Sequence, residues 1–449
     1  METITFDFAF LIFFLCLSCL VADDTSFIDF IKIADPVSVR RDKHTRFVAF
    51  GVRHGARNPG AFLNESSGLF GFEGTLELNA FGKRQAYAFG REIRSFMQGL
   101  LGGNYVASEA IFYTSSASRT QMSLQAALAG LYPPRSFALW NLALDWSPVP
   151  YTIDDPMLRM YKVACPESTN AWKQIDDENL QSMKEIKEKN KSLLEYMSEH
   201  TGWAPTLQSA ANLADNIDSF ELHNFSLPEW LLEGNFTGYE GNILADEFLR
   251  FQELPQIQCS RYDPCGHLMS GVWLQKMADL LENLVNGTDH SLKLAGFVTH
   301  TEIVLSAMYN IGLLGEKVVT AGGFLMEVRD IPEWQVRFLL HRPTTLDEHV
   351  IYKAEYNDNL KNLTSSGQWI PVNDLIELLR SKSISNWLLE CGLEKKDTQK
   401  VSSDTDQLIV DVLEVARTEQ KAFVNNTASS TVTTLLSLIP VITFLHLYF

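Results

Sequence analysis

Apolar and polar positions along the chain alternate between short β-type runs and helical spacing, in the order of an α/β protein. Residues 45–52 (TRFVAFGV) form a compact run that stops at Arg53-His54-Gly55, and residues 110–114 (AIFYT) form a second that enters Ser115-Ser116-Ala117-Ser118-Arg119. Helical spacing is predicted over 73–97, where charged residues interleave with apolar ones, and over 120–131, before Pro133-Pro134. Between about 168 and 256 the texture is helical throughout. Residues 178–199 are charge-dense, with Leu180, Met183, Ile186, Leu193, Leu194 and Met197 at helical spacing, as expected of a solvated helix with one core-facing stripe. The β pattern returns at 292–298, a helix is predicted over 303–311, and 323–330 and 334–340 read as strands that could pair as a hairpin. Long helices interrupting an α/β pattern predict a split core, residues 23–166 and 257–400, with a helical cap inserted at 167–256. The fold expected is a three-layer α/β/α core around a mainly parallel sheet.

The two ends have a different character. Residues 8–20 are almost wholly apolar and lead to Val21-Ala22 and then Asp23-Asp24, which predicts a signal peptide over 1–22 despite the absence of an early Lys or Arg. After a stalk at 401–426, small residues, a polar spacer and an apolar tail to Phe449 match a GPI-type signal over 427–449, with a retained membrane span as the alternative. Acceptor patterns for N-glycosylation occur at Asn64, Asn190, Asn224, Asn235, Asn286, Asn362 and Asn425. These features predict a tethered glycoprotein of the secretory pathway on the extracellular face, in preference to the lysosomal lumen.

With Lys+Arg 37 against Asp+Glu 55, the chain of 449 residues carries a net charge of −18, which argues against nucleic acid as a partner. Of its 6 cysteines, Cys16 and Cys19 fall in the signal peptide; Cys165, Cys259, Cys265 and Cys391 remain, an even number that predicts two disulfides in an oxidising compartment. Cys259, Cys265 and His267 could alternatively be arranged around zinc, although a secreted chain favours the disulfide.

Chemistry concentrates in Arg53-His54-Gly55-Ala56-Arg57-Asn58-Pro59, at the end of the first predicted strand. Ligands of open α/β sheets sit beyond the carboxyl ends of strands. Two arginines flanking a histidine over a glycine turn can hold a phosphate dianion while the imidazole faces phosphorus, and a neutral imidazole can then form a phosphohistidine. No HExxH, P-loop or GxSxG pattern suggests another chemistry, and no metal or cofactor is required.

This motif resembles that of the histidine acid phosphatases, the branch of the histidine phosphatase superfamily that includes prostatic and lysosomal acid phosphatases and the phytases. Residues 77–85 (ELNAFGKRQ), 116–134 (SASRTQMSLQAALAGLYPP), 146–152 (WSPVPYT) and 223–230 (HNFSLPEW) are similar to further family segments, and the resemblance covers roughly 46–337. It implies that His54 is the nucleophile, that Arg53, Arg57 and Arg119 clamp the phosphate, and that His300 is a second phosphate-binding histidine. The family's usual Asp after the second histidine is replaced by Thr301, which cannot act as an acid; His300-Thr301-Glu302 is instead similar to the His-Ala-Glu arrangement of the inositol-polyphosphate branch, so Glu302 is the expected proton donor. A bland alternative places Glu302 in a helix's first turn for dipole reasons alone. Ala56 departs from the Asp often found there. The resemblance also implies a long-range Cys165–Cys391 pair, leaving Cys259 and Cys265 to a local loop, and it allows a homodimer.

The expected function is hydrolysis of a small-molecule or protein phosphate monoester through a phosphohistidine, fastest in acid if the donor must be protonated. The rival expectation is a surface glycoprotein that keeps the phosphate pocket for binding without turnover.

Overall fold

The computed structural model describes residues 36–393, apart from 233–235, 237–242, 289–290 and 316. The chain divides into Met1–Gly392 and Leu393–Phe449, and the features below belong to the first unit. The signal peptide expected over 1–22, the stalk, the tail over 427–449 and the sequons at Asn235 and Asn425 lie outside the described residues. Among those residues, no helix is long and apolar enough to cross a membrane.

Strand β1 (Thr45–Arg53) leads to helix α1 (Ala80–Phe96), strand β2 (Ala110–Thr114), helix α2 (Ser118–Leu131) and the short strand β3 (Thr152–Ile153). Helices follow: α3 (Asp155–Leu158), α4 (Pro166–Asp176), α5 (Gln181–Lys189), α6 (Lys191–Thr201), α7 (Leu207–Leu222), α8 (Leu244–Leu249), α9 (Leu254–Arg261) and α10 (Asp263–Val285). The sheet resumes with β4 (Leu294–Thr299), followed by α11 (Thr301–Ile311), β5 (Gly323–Arg329), β6 (Gln335–Pro343) and β7 (His349–Lys353). Strand β8 (Ile370–Pro371) pairs with β6 beside the path β3-β2-β4-β1-β5-β6-β7. Pairings among β3, β2, β4 and β1 are parallel, whereas β1–β5, β5–β6 and β6–β7 are antiparallel. The parallel half carries the site, and the expected β5–β6 hairpin is present.

Both faces of the sheet are covered. Phe50 of β1 meets Phe89 of α1 with ring centroids 5.1 Å apart, while Phe297 of β4 and Phe324 of β5 pack on Trp273 of α10, each at 5.4 Å. Burying an aromatic side chain of this kind contributes about 1.5–3 kcal/mol.

Two helical expectations are corrected. The helix predicted from residue 73 begins only at Ala80: Asn79 caps it by accepting from Gly82 N at 2.9 Å, and Leu78 is drawn into a bridge with Arg57. The stretch 178–199 is two helices, not one; the chain turns at Asn190, whose side chain donates to Ile186 O at 2.7 Å.

Disulfides join Cys165 to Cys391 and Cys259 to Cys265. The first closes a separation of 226 residues, which removes on the order of 5 kcal/mol of chain entropy from the unfolded state. The second takes up both candidate zinc thiols, and His267 approaches Glu390 at 3.4 Å instead. Asn64, Asn224, Asn286 and Asn362 are exposed, and Asn190 is half-buried.

Near the end of β1, His341 Nδ1 lies 2.9 Å from His349 Nε2, and His341 Nε2 donates to Gly51 O at 3.1 Å. Burial lowers the His341 pKa to about 3 and, with the neighbouring imidazole, holds His349 well below the ordinary value. Both stay neutral in the folded chain, whereas the unfolded chain takes up protons below about pH 6.5. Their contribution to stability is therefore complete above that pH and declines as pH falls toward 3, by up to about 1.4 kcal/mol per pH unit for each. Thermal unfolding scans between about pH 7 and pH 4 should show this decline, flattened in a His341→Gln/His349→Gln variant; equal slopes would remove the pair as its source.

Candidate active site

The register of the parallel strands assembles the site. Arg53 at the end of β1 pairs with Thr299 at the end of β4, so His54 and His300, each the next residue, emerge side by side with ring centroids 5.7 Å apart. On the other side of β4, Thr114 pairs with Val298, which brings Ser115 and the start of α2 to the same edge. This is the point at which the chain leaves neighbouring strands in different directions, where α/β sheets open a crevice.

His54 Nδ1 donates to Gly55 O at 2.8 Å, since a carbonyl can only accept; Nε2 therefore carries the free lone pair. His54 is buried, and burial followed by the Arg119 guanidinium hold its pKa well below the ordinary histidine value, so the ring stays neutral. His300 is lowered by the same two causes. Arg119 donates to His300 Nδ1 at 3.0 Å, which leaves the proton on Nε2, 2.9 Å from Ser115 Oγ. Ser115 continues to Thr120 Oγ1 at 2.8 Å, and Thr120 donates to Ala117 O at 2.8 Å, so His300 is oriented by a chain of hydroxyls ending on the backbone.

His54, Arg57, Arg119, His300 and Glu302 line one cavity of about 700 Å³. Arg53 is placed differently from its neighbours: its guanidinium donates to Val318 O at 2.6 Å and pairs with Glu253, and it lines an adjoining cavity. Arg57 pairs with Asp215 at 2.9 Å. Glu302 sits in the first turn of α11, as the bland expectation had it, and also lines the cavity. Thr301 is buried and donates to Glu253 Oε1 at 3.4 Å. Tyr161 lies with its ring 5.8 Å from that of His300, and burial, then the Glu302 carboxylate, push its pKa well above the usual phenol value.

Glu253, Asp215, Tyr161 and Ser115 escaped the sequence reading. Asp215 comes from α7 and Glu253 stands immediately before α9, so the helical stretch supplies the carboxylates that fix two arginines of the first strand's motif. Nothing local in the sequence links residues so far apart.

The loop that follows β1 is held at its backbone. Gly55 N donates to Ser123 Oγ at 3.0 Å and Ala56 N to Gln85 Oε1 at 2.9 Å. A Cβ at Gly82 would stand 2.1 Å from Ala56 O, and one at Gly55 would stand 2.3 Å from Gly82 O. Gly82→Ala gains about 1 kcal/mol of helix propensity, yet the clash should reverse the sign. The expected result is a net loss of about 1–3 kcal/mol in urea unfolding and roughly tenfold in kcat/KM. A more stable variant would contradict the contact.

Comparison with known proteins accords with this geometry. The pattern of the histidine phosphatase superfamily (branch 2) matches residues 45–318. Lysosomal acid phosphatase of Xenopus laevis is 31% identical over 209 residues, 44% of this chain and 48% of that protein. Prostatic acid phosphatase of Bos taurus is 30% identical over 210 residues, 44% of this chain and 52% of the relative. The chain thus spans about half the length of the curated relatives it matches. In fold, the apo form of Hafnia alvei phytase superposes with a TM-score of 0.57 over 78% of this chain and 98% of that one, at 14% identity. The match over 45–318 takes in more than half the sequence, and the chain belongs to the histidine phosphatase superfamily, branch 2.

Proposed function

We propose that the chain is an acid phosphatase of the secretory pathway that hydrolyses phosphate monoesters through a phosphohistidine on His54. The observation that carries this reading is the bond from His54 Nδ1 to Gly55 O, which leaves Nε2 free in a cavity also lined by Arg57, Arg119, His300 and Glu302. Nε2 attacks phosphorus in line, the P–O ester bond breaks, and Glu302 donates its proton to the departing oxygen. Water then attacks phosphorus, Glu302 takes its proton, the P–N bond breaks, and phosphate leaves. The guanidinium groups of Arg57 and Arg119 stabilise charge on the equatorial oxygens, and His300 positions Arg119 through the bond at its Nδ1.

Because burial and Arg119 keep His54 neutral into the acid range, the nucleophile persists where phosphate monoesters carry one proton, near and below pH 6. Turnover is preferred to binding alone because Glu302 shares the cavity with His54. The helical stretch 167–256 serves as the cap that shapes the mouth, and the ends target and tether the glycosylated chain outside the cytosol. Rapid quench with labelled substrate tests the chemistry: an acid-labile, base-stable phosphoryl group on the peptide containing His54 is expected, and label on another residue would overturn the reading.

A further inference from the structure

One wall of the cavity lies beyond the residues used above. It comes from a single segment, in which Arg159 follows α3, Lys162 ends a short turn, and Trp172 and Lys173 lie on α4. The arginines of the motif are already engaged, Arg57 by Asp215 and Arg53 by Glu253, and Arg119 donates to His300. Arg159 has only a neutral partner, Ser116 Oγ at 3.0 Å, and its buried Nε makes no hydrogen bond. The buried Trp172 Nε1 is also without a partner. Arg159 and Lys162 flank the Tyr161 ring at 6.0 and 5.9 Å, and Tyr161 in turn packs on Trp172 with centroids 6.0 Å apart. Among the described residues, no carboxylate forms an ion pair with Arg159, Lys162 or Lys173. In a chain of net charge −18, three cations without an ion-pair partner on one wall of the cavity make a local positive patch that favours an anion.

We propose that Arg159, Lys162, Trp172 and Lys173 form a subsite for a second anionic group on the substrate, so that the preferred phosphate monoesters carry another negative charge beside the ester. The inference rests on the reading of the cavity as a phosphate monoester site, and it assigns that site a substrate class. Arg159 offers its guanidinium charge, Trp172 contributes to the wall, and the exposed lysines add charge at the mouth. Asp176 and Asp177 also line the cavity and repel an anion, which confines the second group to the Arg159 side.

Calorimetric binding to the full-length chain tests this without turnover, using phenylphosphonate and 4-carboxyphenylphosphonate. The wild-type chain is expected to prefer the carboxylated ligand by about 10-fold, as one added charge-assisted contact would give. In Arg159→Gln/Lys162→Gln the ratio should fall to near one, and in Lys162→Gln alone, at an exposed position, to an intermediate value. Equal affinities in the wild-type chain, or a preference that survives the double variant, would overturn the subsite. Hydrolysis of phenyl phosphate, compared between the wild-type chain and His54→Ala, reports separately on the reaction, so failure of the subsite is distinguishable from failure of the phosphatase reading.

Discussion

Replacing His54 with alanine should lower turnover of an aryl phosphate by about 10⁴-fold or more, the scale on which removal of a covalent nucleophile acts. The effect is large because His54 has no substitute in the cavity. His300 spends Nδ1 accepting from Arg119 and points its remaining N–H at Ser115, so its lone pair is occupied. The arginines cannot be deprotonated. Steady-state assays paired with near-UV circular dichroism check the result: a native spectrum with no phosphoenzyme is the expected outcome. Activity within about tenfold of wild type would remove His54 from the chemistry.

Glu302→Gln is expected to act selectively. A carboxamide cannot supply a proton, so an alkyl phosphate, whose alkoxide leaves poorly, should lose about 10²–10⁴-fold in kcat/KM. An aryl phosphate with an acidic phenol needs little help to depart and should lose far less in the phosphorylation step. Its second step still lacks the group that takes the proton from water, so phosphoenzyme should accumulate as a burst. Equal losses with both leaving groups and no burst would show that Glu302 merely occupies the first turn of α11, where acids are stabilised near the N-terminus of a helix.

The parts of this site legible in the sequence were those next to strand ends. The runs ending at Arg53, Thr114 and Thr299 are short, apolar and bounded, and in a sheet with β2, β4 and β1 adjacent their next residues must cluster. Helical spacing likewise located α2 and α11 closely. It misjudged the start of α1, because residues 73–79 share the composition of a helix while their backbone is committed to the loop after β1 through Asn58 N to Glu77 O at 3.0 Å and Asn79 N to Ala56 O at 3.2 Å. Glu253 and Asp215 were unreadable for a related reason: each is an ordinary acidic residue in a helical stretch, and only tertiary docking turns it toward an arginine at position 53 or 57. The same docking carries Arg53 toward Val318 and Glu253, a placement that no motif encodes.

Those two ion pairs bear on biosynthesis. A nascent chain whose sheet had formed before residues 207–261 settled would own the imidazole while Arg57 lacked Asp215 and Arg53 lacked Glu253. Such an intermediate would grip phosphate more weakly than the settled fold.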